Sequence, residues 1–175
     1  MSETFKMWDA STPDFKPPTW LKAVSGYIGG DTPHIWTPQE WAGMGRIKKL
    51  PIWVRSNPNI SLAWNDGWAI LQRLYVLGVP KLSPVVLDLE TAVDPAYVLG
   101  VHRIIHEFGY LLWVYGSQGS VFGNPACDGY WVATLDGVAQ MVHHRHVVAT
   151  QYVDRGQEDT SLVLRSAVDS VMQTW

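Results

Sequence analysis

The chain has few of the residues that mark several common function classes. One cysteine, Cys127, in 175 residues excludes an internal disulfide and any metal site built on several thiolates. It lies in the loop-like stretch Gly123-Asn124-Pro125-Ala126-Cys127-Asp128-Gly129 with no base beside it in sequence, so it reads as an inert thiol. Charge is also scarce: charged residues make up 17% of the chain and the net charge is -3, with no basic run. That balance leaves no electrostatic footprint for nucleic acid or an anionic membrane surface. No stretch of ~18 apolar residues occurs and Met1 to Asp9 has no apolar core, so neither a membrane span nor a secretion signal is expected. A Gly-x-Ser-x-Gly elbow is absent, which removes the main support for serine hydrolase chemistry.

What the chain does have is apolar and aromatic bulk, 47% hydrophobic with ten tryptophans and seven tyrosines. Such a composition argues for a packed core, and the length suits one compact domain over residues 1–175. Short β-rich runs recur at Thr4–Trp8, Val24–Ile28, Leu50–Arg55, Val85–Leu89, Leu111–Tyr115, Tyr130–Thr134, Val147–Tyr152 and Ser161–Leu164. Helical signals fall between several of them. Thr37-Pro38-Gln39-Glu40 has capping-box spacing, and Asp94-Pro95 opens a helix whose apolar positions from Tyr97 to Phe108 recur at three and four until Gly109. A third helix is expected over about Asn65 to Leu77, stopped by Gly78 and Pro80.

Strand, helix, strand in this order implies parallel pairing, and near-continuous apolar strands suit a sheet covered on both faces. The expected fold class is therefore α/β, a (β/α)8 barrel of the TIM type, short and with its irregularity in the second half. Residues 116–128 and 135–146 hold Gly, Pro or His clusters and weak helical periodicity. An open doubly wound sheet is the alternative, but Gly26-Tyr27-Ile28-Gly29-Gly30 does not match its phosphate-binding turn.

Polar residues gather where the apolar strands end: Asp9, Tyr27, Arg55, Asp88 with Glu90, Tyr115, and Gln151 with Tyr152. In a barrel those ends carry the active site. Alternation puts Asp88 and Glu90 on one face of their strand, with Cα atoms roughly 6.6 Å apart, while Leu87 and Leu89 turn toward the helices. Two carboxyl groups in one partly desolvated cleft hold different pKa values, which supplies a proton donor and an anionic partner at neutral pH. Glycoside hydrolysis needs that division. Aromatic rings near strand ends, Trp8, Trp53, Trp113, Tyr115, Trp131 and Tyr152, are candidates for stacking on sugars as well as for the core.

Taken in order, Trp8-Asp9-Ala10-Ser11, Asp88-Leu89-Glu90, and Ala149-Thr150-Gln151-Tyr152 followed by Asp159 resemble the lysozymes of glycoside hydrolase family twenty-five. The segments Gly26–Gly30, Trp36–Trp41 and Leu50–Arg55 look closer still to glycoside hydrolase-like relatives in actinobacteria and their phages. The resemblance spans about residues 4 to 165 and implies a barrel that cleaves the bond between N-acetylmuramic acid and N-acetylglucosamine in peptidoglycan. By position it makes Glu90 the general acid and Asp88 the group that stabilises the oxocarbenium-like transition state or orients the acetamido group. Asp9 and Asp159 complete an acidic floor, and Tyr27, Arg55, Tyr115, Trp131, Gln151 and Tyr152 become substrate-binding candidates. No cofactor or metal is implied, and the partner is cell-wall glycan, with other virion proteins added if the chain is phage-encoded. The expected location is the cytoplasm until release, or a virion, with action at the wall.

Two rivals use the same cleft. One is a weak or inactive barrel serving as a wall-binding or virion-associated module. The other is a phosphodiesterase in which Asp9, Asp88 and Glu90 ligate a divalent ion, although no strand-end His is available as its acid. His143, His144 and His146 read as a solvated loop, and His102 with His106 as the wet face of a helix.

Overall fold

A computed structural model of the chain describes residues 3–10, 17–89, 94–124, 126–154 and 158–169. Eight strands form: β1 (Thr4–Ala10), β2 (Ala23–Gly30), β3 (Lys48–Val54), β4 (Pro84–Asp88), β5 (Leu111–Ser117), β6 (Gly129–Ala133), β7 (Val147–Val153) and β8 (Glu158–Leu164). They run in sequential order around a closed barrel. Five helices accompany them: α1 (Pro38–Gly43), α2 (Ile60–Val76), α3 (Pro95–Glu107), α4 (Gln118–Val121) and α5 (Arg165–Asp169). This is the expected α/β barrel, with each expected strand at its expected place.

Strand alternation separates two apolar layers. Met7, Ile52, Val86, Trp113, Trp131 and Val163 point into the barrel, while Val85, Leu87, Leu112 and Val114 face outward onto Ile70, Leu74, Val101 and Ile105 of α2 and α3. Fully burying a side chain of this size stabilises the fold by about 1.5–3 kcal/mol, so both layers are needed to hold a barrel this small. Half of the tryptophans belong to these layers: Trp36, Trp41, Trp53, Trp113 and Trp131 are all buried. The glycines of β2 make room for two of them. A Cβ on Gly26 would lie 2.8 Å from the Trp36 indole, and one on Gly29 would lie 2.3 Å from that of Trp53. The Gly-Tyr-Ile-Gly-Gly segment thus admits indole rings rather than a phosphate.

The helices start where their caps dictate. At α1 the Thr37 hydroxyl accepts from the Glu40 amide at 3.2 Å and the Glu40 carboxylate accepts from the Thr37 amide at 2.7 Å, the expected capping box. At α3 the Asp94 carboxylate accepts from Ala96 N at 2.9 Å. Helix α2 begins at Ile60, earlier than periodicity alone predicts. Asn59 caps it through Ser61 N at 3.0 Å, and Asp94, far along the chain, accepts from Ile60 N at 3.0 Å.

The expectation of an all-parallel barrel is corrected at β8, which runs antiparallel to both β7 and β1. The reason is the connection. Only residues 154–157 separate β7 from β8, and a parallel return needs a crossover of a dozen residues or more. The expected irregular second half is present: β5 and β6 are joined through the one-turn α4, and residues 134–146 between β6 and β7 hold no helix. Among the described residues no helix is long and apolar enough to cross a membrane.

Candidate active site

Each functional side chain is delivered by the barrel's geometry. Asp9 near the end of β1, Tyr27 on β2, Asp88 at the end of β4 and Tyr115 on β5 all project inward at the C-terminal ends of their strands. Because β8 is antiparallel, its first residues reach that same end of the barrel. Asp159 therefore sits directly beside Asp9 in the ladder, and Ser25 flanks Asp9 on the β2 side. These residues border a cleft of about 900 Å³. Its far wall comes from the β5–β6 and β6–β7 connections, through Ser117, Ser120, Asn124 and Thr134.

Crowding of acids in a half-dry site sets the electrostatics. Asp9 is 9% exposed, and its Oδ1 has no hydrogen-bond partner among the described residues. Burial, and then the negative charges of Asp88 and Asp159, push the Asp9 carboxyl up to about 8, with the Ser25 hydroxyl pulling the other way. A carboxyl raised this far favours its protonated form at neutral pH, which leaves it able to act as a hydrogen-bond donor. The Tyr27 and Tyr115 phenols are raised above their ordinary range by burial first and by the same aspartates second, so both stay neutral donors. The cleft offers a buried carboxylic acid, two phenols, further acidic groups and a wall of hydroxyls. Such a set recognises a polyhydroxylated, uncharged or cationic group better than a phosphate.

Of the expected site residues, the cleft gathers Asp9, Tyr27, Asp88, Tyr115 and Asp159. Glu90 lies outside the described residues. Arg55 is directed elsewhere: its Nε donates to Asp66 of α2 at 2.9 Å, its Nη2 also bonds Asp66, and its Nη1 reaches Asp31 at 2.6 Å. Tyr97 of α3 donates to the same Asp66 at 2.7 Å, which makes Arg55 part of a brace between barrel and helices. Trp131 is buried in the barrel, its Nε1 donating to Ser161 Oγ at 3.1 Å and its ring edge-on to Tyr115 at 5.1 Å. Gln151 is buried, with its Oε1 lacking a hydrogen-bond partner among the described residues, and Tyr152 is buried beside it on β7. Neither borders the cleft, and no tryptophan among the described residues does.

Ser117, Ser120, Asn124 and Thr134 are the cleft residues that strand-end reasoning misses. The available signal was Ser117 itself, a polar residue closing an apolar strand, whose hydroxyl caps α4 through Ser120 N. Cys127 is partly buried, donates to the Asn124 carbonyl at 3.4 Å and is pushed up to about 11 by burial, so it remains a protonated thiol. His143, His144 and His146 are exposed, with His144 stacked on Phe122 at 4.4 Å. Among the described residues, the acidic and histidine side chains whose ligand atoms lie close enough to share one cation are His102, His106 and Asp128, on the barrel's outer face.

No protein-family model matches the sequence, and no curated protein matches it. Solved structures do match. An uncharacterized protein of B. stearothermophilus superposes with a TM-score of 0.74 at 18% identity, over 95% of this chain and 99% of that one. GHIP, a glycosyl hydrolase 25 of Streptococcus pneumoniae, gives 0.73 at 8% identity, over 95% and 92% of the two chains. The modular autolysin LytC of the same species, solved with a synthetic peptidoglycan ligand, gives 0.69 at 12% identity. There the match covers 91% of this chain, which spans 46% of LytC. At such identities the likeness is one of fold: a barrel shared with GHIP and with LytC.

Proposed function

We propose that residues 1–175 form one glycosidase domain whose cleft takes a peptidoglycan strand and hydrolyses it as lysozymes do. The observation that carries this reading is the setting of Asp9: a buried carboxyl beside Asp159, in a cleft bordered by Asp88, phenols and hydroxyls, and pushed up to about 8 by burial and by those two aspartates. A barrel shared with GHIP and LytC supports it. The similarity of Gly26–Gly30 and Leu50–Arg55 to the glycoside hydrolase-like proteins of actinobacteria and their phages is the basis for the narrower assignment.

In this reading Glu90, two residues beyond Asp88, protonates the glycosidic oxygen as the bond breaks. Asp88 faces the anomeric carbon, where its charge opposes the positive charge that develops there. Asp9 donates a hydrogen bond to the sugar, and Asp159 holds the local potential that keeps Asp9 protonated. Tyr27 and Tyr115 bind hydroxyl or acetamido groups. The cell wall is the place of action.

The test pairs two assays on purified peptidoglycan, binding and release of new reducing ends, for the wild type, Glu90→Gln and Asp88→Asn. Glu90→Gln should lower release by about 10²–10⁴-fold with binding retained. Asp88→Asn should also lower the rate. Near-background release from all three, with binding intact, would replace the enzyme by a wall-binding module.

A further inference from the structure

On the outer face of the barrel, away from the cleft, α3 presents His102 and His106 one turn apart. Their rings stack at 5.0 Å between centroids with 28° between planes, so both imidazoles leave the helix in the same direction. The sequence alone leaves them as a solvated pair. The fold adds a third group, because the connection from α4 into β6 brings Asp128 over α3 and places its Oδ2 3.4 Å from His102 Nε2. One ligand atom from each of the three residues then lies within 4.8 Å of the other two.

We propose that His102, His106 and Asp128 form a binding site for a divalent transition-metal ion of the Zn²⁺ class, with its remaining coordination position open to water. The donor set fits that class. Imidazole nitrogen and carboxylate oxygen bind Zn²⁺ at about 2.0–2.2 Å, which places neighbouring ligand atoms ~3.3 Å apart in a tetrahedron. The 3.4 Å His102–Asp128 separation already meets that spacing, and side-chain rotation of His106 closes the rest. Mg²⁺ and Ca²⁺ prefer oxygen-rich sites, so a site with two imidazoles discriminates against them. The same Asp128 Oδ2 accepts from Leu112 N at 2.8 Å, a backbone contact that fixes the carboxylate in place.

Such an ion would do structural work. The ligands come from α3 and from the segment leading out of the cleft wall, where Ser120, Gly123 and Asn124 precede Asp128. Bound metal would clip the short, helix-poor β5–β6 connection to α3. This site is independent of the glycosidase reading.

The experiment titrates ZnCl₂ into untagged, chelator-treated protein, by calorimetry and by thermal unfolding, beside MgCl₂ as control. One Zn²⁺ should bind per chain and raise Tm, with Mg²⁺ doing neither. His102→Ala and His106→Ala should each weaken Zn²⁺ binding by about 10–100-fold, the loss expected when a metal site is damaged. Both variants should keep the metal-free Tm of the wild type, because surface changes of this kind shift stability little. Absence of saturable Zn²⁺ binding would overturn the proposal. So would binding that persists in the His102→Ala/His106→Ala double variant and disappears with His144→Ala, which would put the ion on the other histidine cluster.

Discussion

Between β3 and β5 the barrel is covered by α2 and α3, while between β5 and β7 it is covered by a single helical turn and a helix-free connection over 134–146. The two regions divide the work. In the first, side chains that leave the sheet are committed to the helices: Arg55, Asp66 and Tyr97 bond one another across strand and helices. In the second, the connections leave Ser117, Ser120, Asn124 and Thr134 on the cleft wall. Asp9 lies on β1, where the barrel closes against β8, with Ser25 on one side and Asp159 on the other. A small barrel can spare helices where the loops themselves shape a binding surface.

Substitutions can break this contrast, and among those that delete a contact the largest effect should come from the brace. Asp66→Ala removes the acceptor for Arg55 and Tyr97 at a site only 4% exposed, and should cost about 3 kcal/mol in denaturant unfolding. A loss below ~1 kcal/mol would mean that Arg55 is not structurally committed and is free for the cleft.

The pH response where β1 meets β8 is a separate test. The Asp9 carboxyl titrates at about 8 in the folded protein against 3.8 as the reference value, so folding favours its protonated form. Its contribution to stability is whole below pH ~4, falls as pH rises toward 8 and is gone above that. Asp9→Asn, which cannot ionise, should unfold with a flatter pH dependence between 4 and 8 and should be more stable than the wild type at pH 9. Parallel pH curves for the two proteins would show that Asp9 is ionised in the native state.

Smaller effects sharpen the comparison. Tyr97→Phe deletes one hydrogen bond to a charged acceptor and leaves Arg55 on Asp66, for an expected loss of about 1–2 kcal/mol. His143→Ala, in the exposed helix-free connection, should change stability by less than about 0.5 kcal/mol. Equal losses at the two positions would erase the distinction between braced and loop-built regions.

The strands were legible because each is an apolar run bounded by turn residues, and α1 and α3 because their caps stand in the sequence at fixed spacing. The direction of β8 was not, since pairing direction follows from connection length, which periodicity ignores. The start of α2 was hidden for a related reason: part of its cap is Asp94, which only the fold brings near. At the site, strand-end alternation brought Asp9 and Asp88 to one cleft, and Asp159 joins them through the reversal of β8. Arg55 was assigned to the cleft because a strand end says nothing about a buried acid eleven residues later on a helix. Ser120 and Asn124 went unseen because α4 is too short to carry periodicity.

The central claim is that this cleft cuts glycan, and the most direct measurement is mass analysis of the soluble fragments released from purified peptidoglycan by the wild-type protein. The account predicts fragments that end in a new reducing N-acetylmuramic acid, released by the wild type and suppressed in Glu90→Gln. Peptidoglycan left uncut by the wild type, or cut only in its peptides, would contradict it.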